Sequence, residues 1–242
     1  MLNQISADDL LYVDIETIPA APSLSGLTPE MQALWDRKSE SFRKPEQTAA
    51  DVYQRAGIYA EFGRIICISA GLIYRTPDGR RGFRTKSFAS DDERALLTDF
   101  GRMLDGFCQP TRPERMLCGH NIKEFDVPYI ARRMLINGVG LPGVIDVAGR
   151  KPWEVRMVDT MELWKFGDYK SFTSLNLLAH IFGIPTPKDD IDGSQVAEVY
   201  YGTHDIGRIS VYCEKDVLAT AQLLLRYKGE PLIDTALVEH VN

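Results

Sequence analysis

The 242-residue chain is short of the groups that hold soft metals or close disulfides. Its four cysteines, Cys67, Cys108, Cys118 and Cys213, lie far apart in sequence. No CxxC pair occurs, which argues against a zinc ribbon or a dithiol redox centre. All four sit in apolar or mixed runs and read as buried thiols in a reducing compartment. The four histidines, at 120, 180, 204 and 240, never fall at HxxxH spacing. No apolar run nears the roughly 20 residues that span a bilayer. The amino-terminal stretch is polar and then acidic, unlike a secretory leader. A cytoplasmic location with no membrane partner is therefore expected. Positive charge is also in deficit, with 28 Lys and Arg against 34 Asp and Glu, a net charge of −6. That excludes a basic coat able to grip long duplexes. It does not exclude a nucleic-acid substrate, which responds to the local field of a groove.

What is present is ordinary for a soluble α/β protein, with 44% hydrophobic and 26% charged residues. The length suits one large domain. A first strand is predicted at about 10–16, where Leu11, Val13 and Ile15 alternate with Tyr12, Asp14 and Glu16. Residues from about 20 to 60 read as a helical insertion, with a helix start at Thr28-Pro29-Glu30. Two β-rich runs, 64–74 and 81–88, flank the turn signal Thr76-Pro77-Asp78-Gly79 and predict a hairpin. Ser90-Asp91-Asp92-Glu93 opens a helix to about 107. A short strand at 115–118 precedes a helix that Asp126 can cap and that Asn137-Gly138 ends. A strand at 155–160, a helix at 174–182, an acidic connection at 185–194 and a long helix at 206–227 follow. This order predicts one domain, residues 1–242, built on a mixed central sheet with helices on both faces.

Residues i and i+2 of a strand share a face, so Asp14 and Glu16 project together. Two bare carboxylates so placed repel, and burial raises the cost. A lone D-x-E is common by chance and is most simply a solvated strand face. Further acids change the balance. Asp126 sits where a loop enters a helix. Asp216 lies on the last helix one i,i+4 step after Tyr212, on a stripe with Ala219 and Leu223 that looks inward. Glu214 and Lys215 face elsewhere and read as solvated. Four carboxylates without a histidine or thiolate cluster suit hard dications, Mg²⁺ or Mn²⁺. Two such ions about 3.5–4 Å apart clamp the attacking and leaving oxygens of a phosphoryl displacement. The chemistry indicated is phosphodiester hydrolysis by metal-activated water.

The segments VDIET, GHNIKEFDVPYI and YCEKD resemble the three motifs of the DEDD 3′–5′ exonucleases. Tyr212, four residues before Asp216, matches the tyrosine subclass; the histidine form would need His at position 211, which is Val211. The second motif is similar to that of the proofreading domains of family B DNA polymerases. YAEFGRIICIS, SLNLLAHIFGI and DGSQV extend the likeness to stand-alone exonucleases related to that domain. The resemblance implies a ribonuclease H-like fold and a metal-dependent 3′–5′ exonuclease that releases nucleoside 5′-monophosphates from single-stranded 3′ ends. DNA is favoured over RNA as the substrate, although no residue pattern separates them. It implies two divalent cations, Mg²⁺ or Mn²⁺, and no organic cofactor. Asp14, Glu16 and Asp216 would hold one metal, with Asp14 shared and Asp126 reaching the second directly or through water. Tyr212 would orient the attacking water, because a phenol with a pKa of about 10 is a weak base at neutral pH. Asn121 and Phe125 match positions that handle the terminal nucleotides, and Thr17 would approach the 3′ end.

Each of these residues also has a structural reading. Phe125 could pack the core and Asn121 cap a turn, at even odds with the substrate roles. Thr17 could simply end its strand. Asp159 reads as a helix cap, His120 as a packed loop histidine, and the arginines at 75, 80, 81 and 84 as a solvated turn. The alternative at the level of function is a catalytically silent binding module on the same fold. The intact set of four acids and Tyr212 favours the enzyme. A phosphatase of the D-x-D-x-T type fails because position 16 is Glu and position 18 is Ile.

Overall fold

The computed structural model describes residues 2–168, 170–185 and 191–241. Five strands, β1 (Leu10–Pro19), β2 (Gly63–Arg75), β3 (Arg81–Ala89), β4 (Met116–Gly119) and β5 (Met157–Asp159), are joined by a short sixth, β6 (Val238–His240). They form one sheet in the order β5-β4-β1-β2-β3-β6. β1, β2 and β3 run antiparallel to their neighbours in that meander, while β4, β5 and β6 add in parallel. The expected mixed sheet is therefore present.

Alternation along β1 sorts the two faces. Leu11, Val13 and Ile15 enter a core with α2 (Glu93–Phe107) and α3 (Asp126–Ile136), through Leu96, Leu97, Phe100, Val127 and Ile130. Leu10 and Tyr12 enter a second core on the other face with α7 (Ile206–Tyr227), through Val217, Ala221 and Leu224. Helices thus cover both faces. Caps set their starts: Asp92 accepts from the Ala95 N–H, and Asp205 accepts from the Arg208 N–H.

Gly71 on β2 decides how closely α7 can approach. A Cβ there would lie 2.4 Å from Phe83 Cζ and 2.8 Å from Val217 Cγ1. Any side chain at Gly71 would push α7 off the sheet.

Several elements differ from expectation. β1 runs three residues further, to Pro19, past an irregularity in its pairing with β2 between Glu16 and Thr17. Ile66 is left unpaired there, and it packs with its neighbour Cys67 and with Ile18 in a third core under α6 (Val196–Thr203). The sequence reading missed α6, whose VAEVYYGT is only eight residues long and rich in β-branched and aromatic residues, although Val196, Val199 and Tyr200 fall at helical spacing. It also missed β6, which is too short to show alternation. The segment expected to be a helical insertion holds one α-helix, α1 (Pro29–Ser39), and 3₁₀ turns gathered round the buried Trp35. The remaining helices are α4 (Thr160–Lys165) and α5 (Leu175–Ile181). Of the acidic connection expected at 185–194, residues 186–190 lie outside the described residues. No helix among the described residues is long and apolar enough to cross a membrane.

Gly71→Val is expected to lower stability by about 1–3 kcal/mol, the usual range for overpacking. Urea unfolding of the purified variant checks this; an unchanged midpoint would show that α7 does not depend on the gap.

Candidate active site

The second face of β1 carries the acids. Glu16 is 7% exposed, and Asp14 keeps one partly open edge. Across the strand pair, Asp14 faces Ser69 and Glu16 faces Cys67. α7 closes over this face. Its Cys213 Sγ donates to Asp14 Oδ2 at 3.5 Å and lies 3.4 Å from the Asp14 carbonyl oxygen. Ligand atoms of Asp14, Glu16 and Cys213 all lie within 4.8 Å of one another. The sequence alone marks Cys213 only as a buried thiol. The signal that could have found it is its place three residues before Asp216, on the same helix face.

Tyr212 and Asp216 meet on α7 through a hydrogen bond, with the phenol donating to the carboxylate. Burial raises the Tyr212 pKa most, followed by the negative charges of Asp216, Glu16 and Asp14. The phenol therefore stays protonated at every ordinary pH. A Cβ added at Gly193 would come within 3.9 Å of the Tyr212 hydroxyl, so the start of the 191–195 turn lies over this residue.

Asp126 is 3% exposed and is the first residue of α3. The expected cap is corrected here: Phe125 holds the N-cap position and makes no side-chain cap bond. The Asp126 carboxylate instead accepts from its own backbone N–H and that of Ile15 on β1, which ties α3 to the site. Burial still dominates and, helped by Asp159, lifts its pKa to about 7.

Asp14 and Glu16 feel the other acids of the group. The Asp14 pKa is raised well above the carboxylate range, first by burial and then by Asp126 and Asp216. Glu16 is raised by burial, then by Asp14 and Asp216. Like charges concentrated in a low-dielectric site favour protonation or a bound cation. The donor set is made of carboxylate oxygens, which fits a hard dication. Burial pushes the Cys213 thiol well up, which keeps it an S–H donor toward Asp14.

The three residues expected at the substrate make their own structural contacts. Thr17 follows the strand irregularity and hydrogen-bonds the Tyr129 hydroxyl, which donates to the Gly57 carbonyl at 2.8 Å. Asn121 adopts a left-handed φ of +68°, and its carbonyl accepts from the Glu124 and Phe125 N–H groups. Phe125 packs at a tilt on Tyr129, with ring centroids 5.5 Å apart, yet remains half-buried. Asn121 and Phe125 thus make structural contacts and also border the Asp126 end of the site.

Other expectations resolve plainly. Asp159 caps α4 and also accepts from the Asn121 and Lys123 N–H groups, so one buried carboxylate holds the whole second-motif turn. His120 packs between Thr160 and the Thr173 carbonyl. The hairpin arginines are paired: Arg75 with Asp8, Arg80 with Asp78, Arg81 with Asp8 and Glu230, and Arg84 with Glu239. Glu214 is not solvated as expected. It accepts from Ser87 Oγ at 2.7 Å and from Thr85 Oγ1 at 3.2 Å, and it pairs with His240 from the strand that sequence reading missed.

Residues 58–231 match the family described as "Predicted 3'-5' exonuclease related to the exonuclease domain of PolB". No curated protein matches the chain. Among solved structures, the chain is similar to the family B DNA polymerase of the hyperthermophilic archaeon Pyrobaculum calidifontis, with a TM-score of 0.51 and 19% identity. The likeness covers 90% of this chain and 24% of the polymerase, so the chain spans about a quarter of that protein's length. At this identity the match establishes the fold, which is the expected ribonuclease H-like one.

The raised acid pKa values set a pH dependence. A carboxylate whose folded pKa lies above its unfolded value binds more protons when folded, so it removes stability as pH rises from about 4 toward the folded value. Asp126→Asn is therefore expected to melt higher than the parent in chelator. The gap should open between pH about 4 and 7 and stay constant above that. Melting curves across that range check the trend; a gap that closes with rising pH would contradict the burial of an ionised Asp126.

Proposed function

The chain belongs to the family of predicted 3′–5′ exonucleases related to the exonuclease domain of PolB, and on that premise we propose that it is a metal-dependent enzyme removing nucleoside 5′-monophosphates from single-stranded 3′ ends, with DNA as the favoured substrate. The observation that carries the reading is the gathering of Asp14 and Glu16 within 4.8 Å of each other, with Asp126 and Asp216 near enough that their charges raise the proton affinity of both. A fold gains no stability from such a cluster, so its use lies in what it binds.

In this reading, Asp14, Glu16 and Asp216 would hold one Mg²⁺ or Mn²⁺, and Asp14 with Asp126, directly or through water, would hold a second. When bound, such ions lower the pKa of water and neutralise charge on a phosphoryl group. The chain supplies the rest. Its rigid strand keeps Asp14 and Glu16 in register, because Leu11, Val13 and Ile15 anchor the opposite face in the core. The Cys213 thiol orients Asp14 by hydrogen bonding to Oδ2. Tyr212, held protonated, positions the attacking water through its hydroxyl and does not take its proton. Asn121 and Phe125 shape the turn against which the terminal nucleotides lie, and Thr17 borders the 3′ end.

End-labelled single-stranded DNA and RNA, incubated with Mg²⁺, Mn²⁺ or chelator, test the reading. Metal-dependent shortening from the 3′ end is expected, faster on DNA. Activity in chelator, or loss from the 5′ end, would sink it. Asp14→Ala should abolish cleavage and weaken Mn²⁺ binding measured by calorimetry. Tyr212→Phe should lower kcat about 10- to 100-fold through a misplaced water while leaving Mn²⁺ binding intact. Parent-like turnover in that variant would refute the positioning role.

A further inference from the structure

We propose that the cavity beside the Asn121 turn is a nucleotide subsite, holding single-stranded nucleic acid upstream of the 3′ end by stacking. The inference rests on the exonuclease reading of the acid cluster and extends it to the path of the strand. The cavity has a volume of about 520 Å³, within the range of about 300–1,000 Å³ typical of small-molecule sites. Its walls include Val127, Val155, Met157 and Met161, an apolar surface suited to a planar base. It opens beside Asp126, on the sheet face opposite Asp14 and Glu16. Asn121 lines it, Val127 directly follows Asp126, and the lining Asp159 acts electrostatically on Asp126.

Two exposed rings flank the cavity. Trp153 is 78% exposed and follows the lining residue Pro152. Phe172 is 66% exposed, and the Nζ of the lining Lys165 sits 4.2 Å from its ring centroid. The Thr173 carbonyl accepts from His120 Nε2 at 2.8 Å, which fixes the Phe172 segment to the Asn121 turn. Lys151 Nζ lies 5.2 Å from the Trp153 ring. Neither ring joins a core cluster, so folding does not account for them.

The charge around the cavity selects the binding mode. Lys123, Arg150 and Lys165 are offset by Glu124, Asp159 and Glu162. A bulk positive field is therefore absent there, in keeping with the acidic chain. What remains is an aromatic face with an ammonium above it, repeated at two places. A nucleotide answers both parts: its base stacks on the ring and its phosphate takes the ammonium. Stacking of this kind tolerates any base, as an enzyme working along a strand requires.

The test uses the full chain in chelator, so that binding is read without cleavage. Fluorescence anisotropy follows a labelled twelve-nucleotide oligothymidylate, and hydrolysis of an unlabelled dinucleotide in Mn²⁺ reads the active site alone. Trp153→Ala and Phe172→Ala should each weaken oligonucleotide binding roughly 5-fold or more, with dinucleotide hydrolysis unchanged. Trp153→Phe, which keeps a ring, should retain affinity. Parent-like binding in both alanine variants would overturn the proposal, as would equal losses on the dinucleotide. If thymidine 5′-monophosphate binds as tightly as the oligonucleotide, the cavity is a mononucleotide site and the strand path is overturned. Ring-dependent binding without any nuclease activity would support the subsite and refute the exonuclease reading instead.

Discussion

The close approach of α7 to β1 is the constraint on which the rest of the molecule depends. Asp14 and Glu16 come from the strand, and Tyr212, Cys213 and Asp216 come from the helix. They share one volume because Gly71 leaves no side chain between Val217 and the sheet. Apolar packing of Val217, Ala221 and Leu224 on Leu10 and Tyr12 holds the helix down against the repulsion of the acids above it. Burial of that apolar surface is worth roughly 25 cal/mol per Å², and it offsets the electrostatic cost of the cluster. The site is thus a charged defect sustained by the core beside it.

Polar groups around the cluster are organised to limit that cost. Cys213 donates to Asp14, and the Ile15 N–H donates to Asp126. Asp159 accepts four backbone N–H groups and stiffens the turn between β4 and α3. Glu214, one residue on from Cys213, turns the other way into a network with Thr85, Ser87 and His240 that fastens α7 to β3. Consecutive residues of one helix therefore serve two jobs: one side faces the acids of β1, and the next anchors the helix to β3.

The region beyond Asn121 has a different character. The hairpin arginines are spent on acidic partners, so the most basic stretch of the chain is largely neutralised within the fold. Exposed rings with ammonium groups above them lie instead beside the apolar cavity. This division explains how an acidic protein of net charge −6 can belong to a family of nucleases. Local chemistry at the groove, and not total charge, decides the partner.

Much of the fold was legible in the chain because local rules govern it. Alternation in β1, the Pro-Asp-Gly turn between β2 and β3, and the cap of α2 depend on near neighbours, and the elements stand close to where those signals put them. The acids and Tyr212 were legible too, since strand and helix periods place Asp14 with Glu16 and Tyr212 with Asp216. Tertiary structure alone decided what those periods could not contain. It extended β1 through an irregular pairing, made α6 from residues with strand-like propensity, and recruited three terminal residues as β6. It also turned Cys213 from an inert thiol into a partner of Asp14, and Glu214 from a solvated charge into an anchor. Each of these depends on contacts between segments distant in sequence, whose energies outweigh local preference and leave no periodic trace in the chain.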